Sequence, residues 1–460
     1  MRVSWWQLVF SALAVTALAW LAGCGANSPT SVPTGDQAVP HIDGEAFPQA
    51  LAASAEAVAT ETDYHGHHAL QLGNGLVTVV AVPAASGRLV SFQLGKFEYL
   101  QPDPALAKAT TDKTVADSGG EAVRVISGVK SGTGPAQAGK PVLLGTVWKG
   151  AVTTAKGIYS EVTMTSPADK DSGVQIVRTL RLYAGSTHLA VTDTLTNTGD
   201  KPGQWALQSA TQLAGLIGTG APSGQVQLYA PLAPAPNHPQ GYWSLAKDGD
   251  VSQFQATAQG RLLAAAYSGK AGEMGLGPGA TWLAYAESGG NHVLAQRLTV
   301  AAGEDYPDGA PGRLGAAAAA QGVAYVEMGV ASPWQELKPA ATLTLTQDWY
   351  ATIVPGPIVD VTGEAAISQA LQVLPQAQGY QLTGRLGSFS VGTLLITPAD
   401  AAGQTLGTPV RLPVTPGTAL TLNQALSAHA GATTVQLSLE NGAGTPLAAV
   451  ATVPLPRVAG

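Results

Sequence analysis

Charge is what this chain has least of. Only 12% of its 460 residues are Asp, Glu, Lys or Arg, and they sum to a formal net charge of −7. Lys and Arg are scattered rather than clustered, so the basic footprint of a nucleic-acid-binding protein is missing. The one cysteine, Cys24, rules out an internal disulfide and a cysteine-based zinc site. Beyond the amino-terminal segment no run of about 18 apolar residues occurs, which excludes a membrane-spanning helix there. At 45% hydrophobic the chain is too apolar for a disordered polymer, and its 55 Gly and 31 Pro follow no collagen period. What is left is a globular chain long enough for two or three domains. Its wealth of Gly, Thr, Val and Ala beside few Lys and Glu is the composition of a β-rich protein.

The amino terminus has the plan of a secretory signal: Arg2, an apolar stretch from Leu8 to Ala22, then small residues. Leu21-Ala22-Gly23-Cys24 resembles the bacterial lipoprotein signal, in which the cysteine becomes the first mature residue and is acylated on sulfur. Two or three acyl chains, at about 0.8 kcal/mol per buried CH₂, hold a protein stably on a membrane. The resemblance implies residues 1–23 as signal peptide, membrane lipid as partner through Cys24, and an extracytoplasmic location. Gly25 stands where an Asp would resemble the inner-membrane retention signal, so an outer-membrane address is expected if the cell is Gram-negative. From Gly25 to Pro40 the chain is rich in Ser, Pro, Gly and Thr and reads as flexible; 24–60 is expected to be a tether. The Ala-rich stretch from Ala46 to Ala59 is compatible with one short helix.

Thereafter the pattern is of strands. Val174, Ile176, Leu180 and Leu182 share one face while Gln175, Thr179 and Arg181 share the other, a period of two. Similar runs occur at Gly75–Val82, Arg88–Leu94, Val142–Trp148, His188–Asn197, Gly203–Leu213, Gly260–Tyr267, Ala280–Ala286, His292–Ala301, Gly322–Met328 and Ala341–Trp349. So many strands without alternating helices predict a large antiparallel sandwich over 61–354 rather than a βαβ fold. Val354-Pro355-Gly356-Pro357 removes backbone donors and ends pairing. Residues 355–460 then show short strands whose spacing suits a seven-stranded immunoglobulin-like sandwich. The fold class expected is all-β: a large supersandwich followed by a small sandwich.

Four stretches carry a family resemblance: Gly75 to Phe92 (GLVTVVAVPAASGRLVSF), Val174 to Gly215, Glu304 to Gly309 (EDYPDG) and Gly322 to Trp349. Read in order they are similar to the galactose mutarotase-like supersandwich, and look most like a bacterial branch of it classed as a domain of unknown function. In aldose 1-epimerases of this fold a carboxylate removes the anomeric proton and an imidazole protonates the ring oxygen, and both must lie within hydrogen-bond reach. The resemblance gives the base position to Glu327, in Tyr-Val-Glu-Met. Where those enzymes have the acid His, this chain reads Gln208-Ser209-Ala210-Thr211-Gln212, with no titratable side chain. The resemblance therefore implies a sheet that binds carbohydrate without turnover. The alternatives are an aldose 1-epimerase-like enzyme using Glu327 and another acid, and a structural or chaperone-like envelope component, since membrane insertases carry a domain of similar fold.

The candidate ligand-binding residues are Arg88, Gln208, Trp243, Tyr306, Asp308, Glu327 and Trp334. Glu327 lies between apolar Val326 and Met328, which places it on the opposite face of its strand from both. Arg88 could donate bidentately to hydroxyls. Trp243 and Trp334 sit in loop-like segments where a flat ring can stack on a pyranose, and Tyr306 and Asp308 could line the same mouth, although Pro-Asp-Gly is also an ordinary turn. His65, His67 and His68 are the one metal-like run, but four ligands are needed and no second cluster supplies them, so no metal is expected. His238 could stand in for the missing acid. Nothing calls for a cofactor, and no protein partner can be named.

Overall fold

The computed structural model describes residues 56–456, apart from 103–105, 107–118, 130–136, 144, 216–224, 236, 247–248, 259 and 319–323. The signal peptide, Cys24 and residues 25–55 lie outside the described residues. Among those described, regular structure is strand throughout except for two short 3₁₀ turns at Pro83–Ala85 and Pro307–Gly309. No helix among them is long and apolar enough to cross a membrane.

The period of two does the folding. Strand Val174–Tyr183 alternates buried and half-buried residues along its whole length, as does its partner Leu189–Asn197, with Ile176 opposite Leu195 and Leu180 opposite Val191. A one-residue slip would turn every core side chain outward, so this register is strongly specified. The same logic builds two large antiparallel sheets. The larger has 14 strands, whose central path runs Gly272–Leu276, Gly312–Ala316, Tyr325–Ala331, Gly203–Ala214, Glu121–Val129 and Arg88–Leu94. The second has 10, from an edge strand Phe254–Thr257 through Leu262–Ala266, Val226–Pro231, Trp282–Glu287, His292–Leu298 and Thr342–Ile353 to Leu189–Asn197 and beyond. Their facing sides make one core, with Phe92, Leu207, Leu213 and Met328 from the first meeting Ile176, Val191, Leu294 and Trp349 from the second.

Residues beyond Ile353 form two four-stranded antiparallel sheets with their own core of Leu382, Leu394, Leu437 and neighbours. Among the described residues the unit has eight strands, not the seven expected, the short Asp360–Val361 adding one beside Ala365–Gln376. It covers the outer face of the 10-stranded sheet. Tyr229, Trp282, Ala284, Val293 and Tyr350, which alternate with the main core residues, pack against Ile358, Val361, Ala366 and Phe389. Tyr183, His188, Tyr350 and Phe389 stack ring on ring across this junction at 4.6, 4.7 and 4.7 Å. Thr187 N–H also donates to Phe389 O at 2.8 Å and Ile353 N–H to Pro416 O at 2.8 Å.

Two expectations are corrected. Ala57–Tyr64, read as helix end and tether, is a strand paired with His67–Gly73. Its alternating Thr60, Thr62 and Tyr64 outweigh the helix preference of the preceding alanines. Val142–Trp148 is not a strand: the strand ends at Val142, where Leu143 at φ 65° and Gly145 at φ 71° turn the chain.

Candidate functional site

The outer face of the larger sheet carries a checkerboard written by three tripeptides. Glu273-Met274-Gly275, Arg313-Leu314-Gly315 and Glu327-Met328-Gly329 lie on three adjacent strands, each sending its middle residue into the core. The antiparallel registers place Glu273 opposite Gly315 and Gly315 opposite Glu327, while Gly275 faces Arg313 and Arg313 faces Gly329. Each charged side chain thus stands beside a glycine that leaves room for it. At about 4.8 Å per strand, the Cα atoms of Glu273 and Glu327 are about 10 Å apart across Gly315. Arg313 spans the gap diagonally: it lies 3.5 Å from the Glu273 carboxylate, and its Nη2 donates to Asp308 at 2.9 Å and to Pro307 O at 3.1 Å.

The next strands continue the pattern. Gln212 faces Glu327, Ala210 faces Gly329, and Gln208 faces Arg124 on the strand beyond. A relay then ties in Arg88. Arg88 Nη1 donates to Gly119 O at 3.2 Å, Gly119 N–H donates to Gln212 Oε1 at 2.7 Å, and Gln212 Nε2 reaches Glu327 Oε2 at 3.4 Å. Gly120 must be glycine here: at φ 66° a Cβ would come within 2.1 Å of Leu89 O. Burial raises the Glu327 carboxyl above the ordinary carboxylate range and the Glu273 charge adds to this, while Arg124, the Gln212 bond and Arg313 oppose it. The long Gln212 contact is the only hydrogen bond that the Glu327 carboxylate accepts among the described residues. Arg124, Gln208, Gln212, Glu273 and Arg313 are nearly buried; Glu327 is half-buried.

The structure gathers Glu327, Gln208 and Arg88 into this cluster, and brings Asp308 to it through Arg313. Trp243 is on a short strand, Tyr242–Ser244, not in a loop. Its ring presses on Gly275, where a Cβ would come within 2.8 Å, and stacks on His238 at 4.0 Å and 14°. Trp334 leaves its loop to pack on Ile126 and Ala206, forming a wall at the Gln208 end. Tyr306 is the exception. Its hydroxyl accepts from Ala301 N–H at 2.8 Å and its ring is buried, so it braces the loop rather than lining the site. His238, stacked on Trp243, is not brought against Glu327 by any contact among the described residues. In the His65-Gly66-His67-His68 run, His65 and Gly66 form a hairpin turn held by Gly66 N–H donating to Asp63 at 2.9 Å, and His67 and His68 open the next strand, with His68 3.3 Å from Glu61. No group of three or more His, Cys, Asp or Glu among the described residues is placed to hold a metal ion.

Sequence reading missed Arg124, Gln212, Glu273 and Arg313. For Glu273 and Arg313 the signal available was the thrice-repeated charged–apolar–glycine tripeptide, which alternation projects onto one face; Arg124 and Gln212 lie in no such tripeptide.

No protein-family description matches the chain, and no curated protein matches it in sequence. Solved structures do show a likeness. A galactose mutarotase-like protein from Clostridium acetobutylicum superposes with a TM-score of 0.45 at 10% identity, covering 64% of this chain and 98% of that one. A galactose mutarotase-like protein from Lactobacillus casei gives 0.42 at 12% identity, over 62% and 99%. A galactose mutarotase related enzyme from Lactobacillus acidophilus gives 0.40 at 9%, over 66% and 100%. Any functional reading has to rest on the side chains of this chain itself.

Proposed function

We propose that this is an extracytoplasmic protein, anchored through an acylated Cys24, that binds a neutral carbohydrate on the outer face of its larger sheet without turning it over. One observation carries the binding reading: a half-buried carboxylate, Glu327, with a single long hydrogen bond among the described residues, set among two guanidinium groups and two amides over a floor of glycine and alanine. Glu273 and Glu327 balance Arg124 and Arg313, so this face favours neither anion nor cation. Interspersed donors and acceptors beside the Trp243 ring suit a ligand of hydroxyls and C–H faces. Gln208 has no proton to give, which argues for binding over catalysis.

The test is a saccharide array probed with the protein and with Glu327→Gln. Wild-type binding lost in the variant supports the assignment; no binding to any glycan favours the structural or chaperone-like component. The enzymatic reading has its own support in Glu273, whose charge acts on Glu327 and which could serve as the acid partner. Polarimetry on fresh aldoses decides it: equilibration at the uncatalysed rate rejects turnover. Labelling cells with a fatty-acid analogue tests the anchor, with label on wild type and none on Cys24→Ala.

A further inference from the structure

A recess lies on the opposite side of the molecule from Glu327, against the 10-stranded sheet where the chain crosses from one sandwich to the other. It is a cavity of about 450 Å³. Register makes its floor. The edge strand Phe254–Thr257 pairs with Leu262–Ala266, which pairs with Val226–Pro231. On the outer face Gln255 stands opposite Ala264, and Ala264 opposite Tyr229; Thr257 stands opposite Leu262, and Ala266 opposite Gln227. The middle strand therefore offers small methyl groups, while amide and hydroxyl side chains rise on both flanks. The crossing segment Pro357, Ile358 and Val359 closes the recess from above.

The lining chemistry selects the ligand. Among the described residues no Asp, Glu, Lys, Arg or His faces the cavity. Its single titratable side chain, Tyr229, is pushed up to about 12 by burial and its hydroxyl donates to Gln227, so it stays neutral. An ionic ligand would enter without a counter-charge, at the cost of leaving water unpaired. A purely apolar ligand would cover the amides of Gln227 and Gln255 without replacing their water, while the Gln253 amide is already held by Lys270 O at 2.9 Å and Ser268 N–H at 3.3 Å. A volume of this size falls within the range of small-molecule sites. An extended peptide adding to the edge strand would use the strand's backbone and extend the sheet sideways, leaving the recess on the sheet's face empty.

We propose that this junction recess is a second ligand site, taking a neutral saccharide of one or two residues. The site is shared between the first sandwich and the segment leading to the second, so its ligand also stiffens the junction. The proposal does not depend on the reading of Glu327.

The experiment is hydrogen exchange by mass spectrometry on the full-length protein with maltose, cellobiose and N,N′-diacetylchitobiose as probes and glucuronate as the charged control. At least one neutral sugar is expected to protect segments 254–266 and 357–359, equally in wild type and in Glu327→Gln. Gln255 is exposed, so Gln255→Ala combined with Gln227→Ala should fold and weaken that protection about tenfold, the loss of two hydrogen bonds. Ala264→Leu fills the floor and should abolish it; if that variant fails to fold, the glutamine pair alone decides. Protection by no neutral sugar, protection indifferent to the glutamine pair, or equal protection by glucuronate would each overturn the proposal.

Discussion

Two arginine–carboxylate clusters stand back to back on the same sheet, and they differ in how far their hydrogen bonds are satisfied. Strand Glu121–Val129 sends Glu121 into the core and Arg124 to the outer face; strand Gly203–Ala214 sends Ser209 inward and Gln208 outward. Inside, Arg178 from the second sheet makes a fork to Asp193 at 2.7 and 3.0 Å and another to Glu121 at 2.7 and 2.9 Å. Ser209 adds a bond to Glu121 at 2.8 Å, and Arg178, Glu121 and Asp193 are fully buried. Burial pulls Arg178 down, yet its two carboxylates hold it above the ordinary arginine range. Glu121 accepts three such bonds where Glu327 accepts one of 3.4 Å. A saturated carboxylate, Glu121, joins two sheets; Glu327, with one long bond, is left with acceptor capacity for a ligand.

Four substitutions sharpen this contrast, in falling order of effect on folding. Arg178→Met leaves two buried carboxylates without their cation and should cost about 3–5 kcal/mol, read as a lower urea midpoint. Gly329→Ala pushes a Cβ to 3.3 Å from the Arg313 stem, so it should cost about 1 kcal/mol and shift Arg313, weakening ligand binding more than stability. Arg181 is three residues from Arg178 but faces outward, paired with Glu161 at 2.6 Å and 39% exposed; Arg181→Met should cost no more than about 1 kcal/mol.

Glu327→Gln carries the smallest effect on folding, and with reversed sign. The folded Glu327 holds its proton more tightly than the unfolded one, so it costs stability once pH rises above the ordinary carboxylate range toward its raised value. The variant is expected to be at least as stable as wild type at pH 7, the difference vanishing in acid melts. Ligand affinity in wild type should rise with pH through the same window, because the carboxylate is the better acceptor; Glu327→Gln should flatten that profile.

Much of the architecture was legible because alternation is local. Val174 to Leu182 announced its buried face, and Val326 and Met328 fixed the direction of Glu327. The site was legible only in part because register is not local. Glu273, Arg313 and Arg124 reach Glu327 through strand neighbours far apart in sequence, and no single stretch says which strands will pair. Tyr306 misled for the opposite reason: the residues around it suggested a mouth, but a main-chain N–H five residues back captured its hydroxyl. The buried Arg178 triad left no sequence signal beyond polar residues at core-facing positions of otherwise apolar strands.

The most direct test of the contrast is amide chemical-shift mapping with a saccharide that binds. Addition of the sugar should move the resonances of Gly275, Gly315 and Gly329 on the outer face and leave those of Arg178, Asp193 and Ser209 in place. Movement of the inner set alone, or no movement at the three glycines, would contradict a ligand site at Glu327.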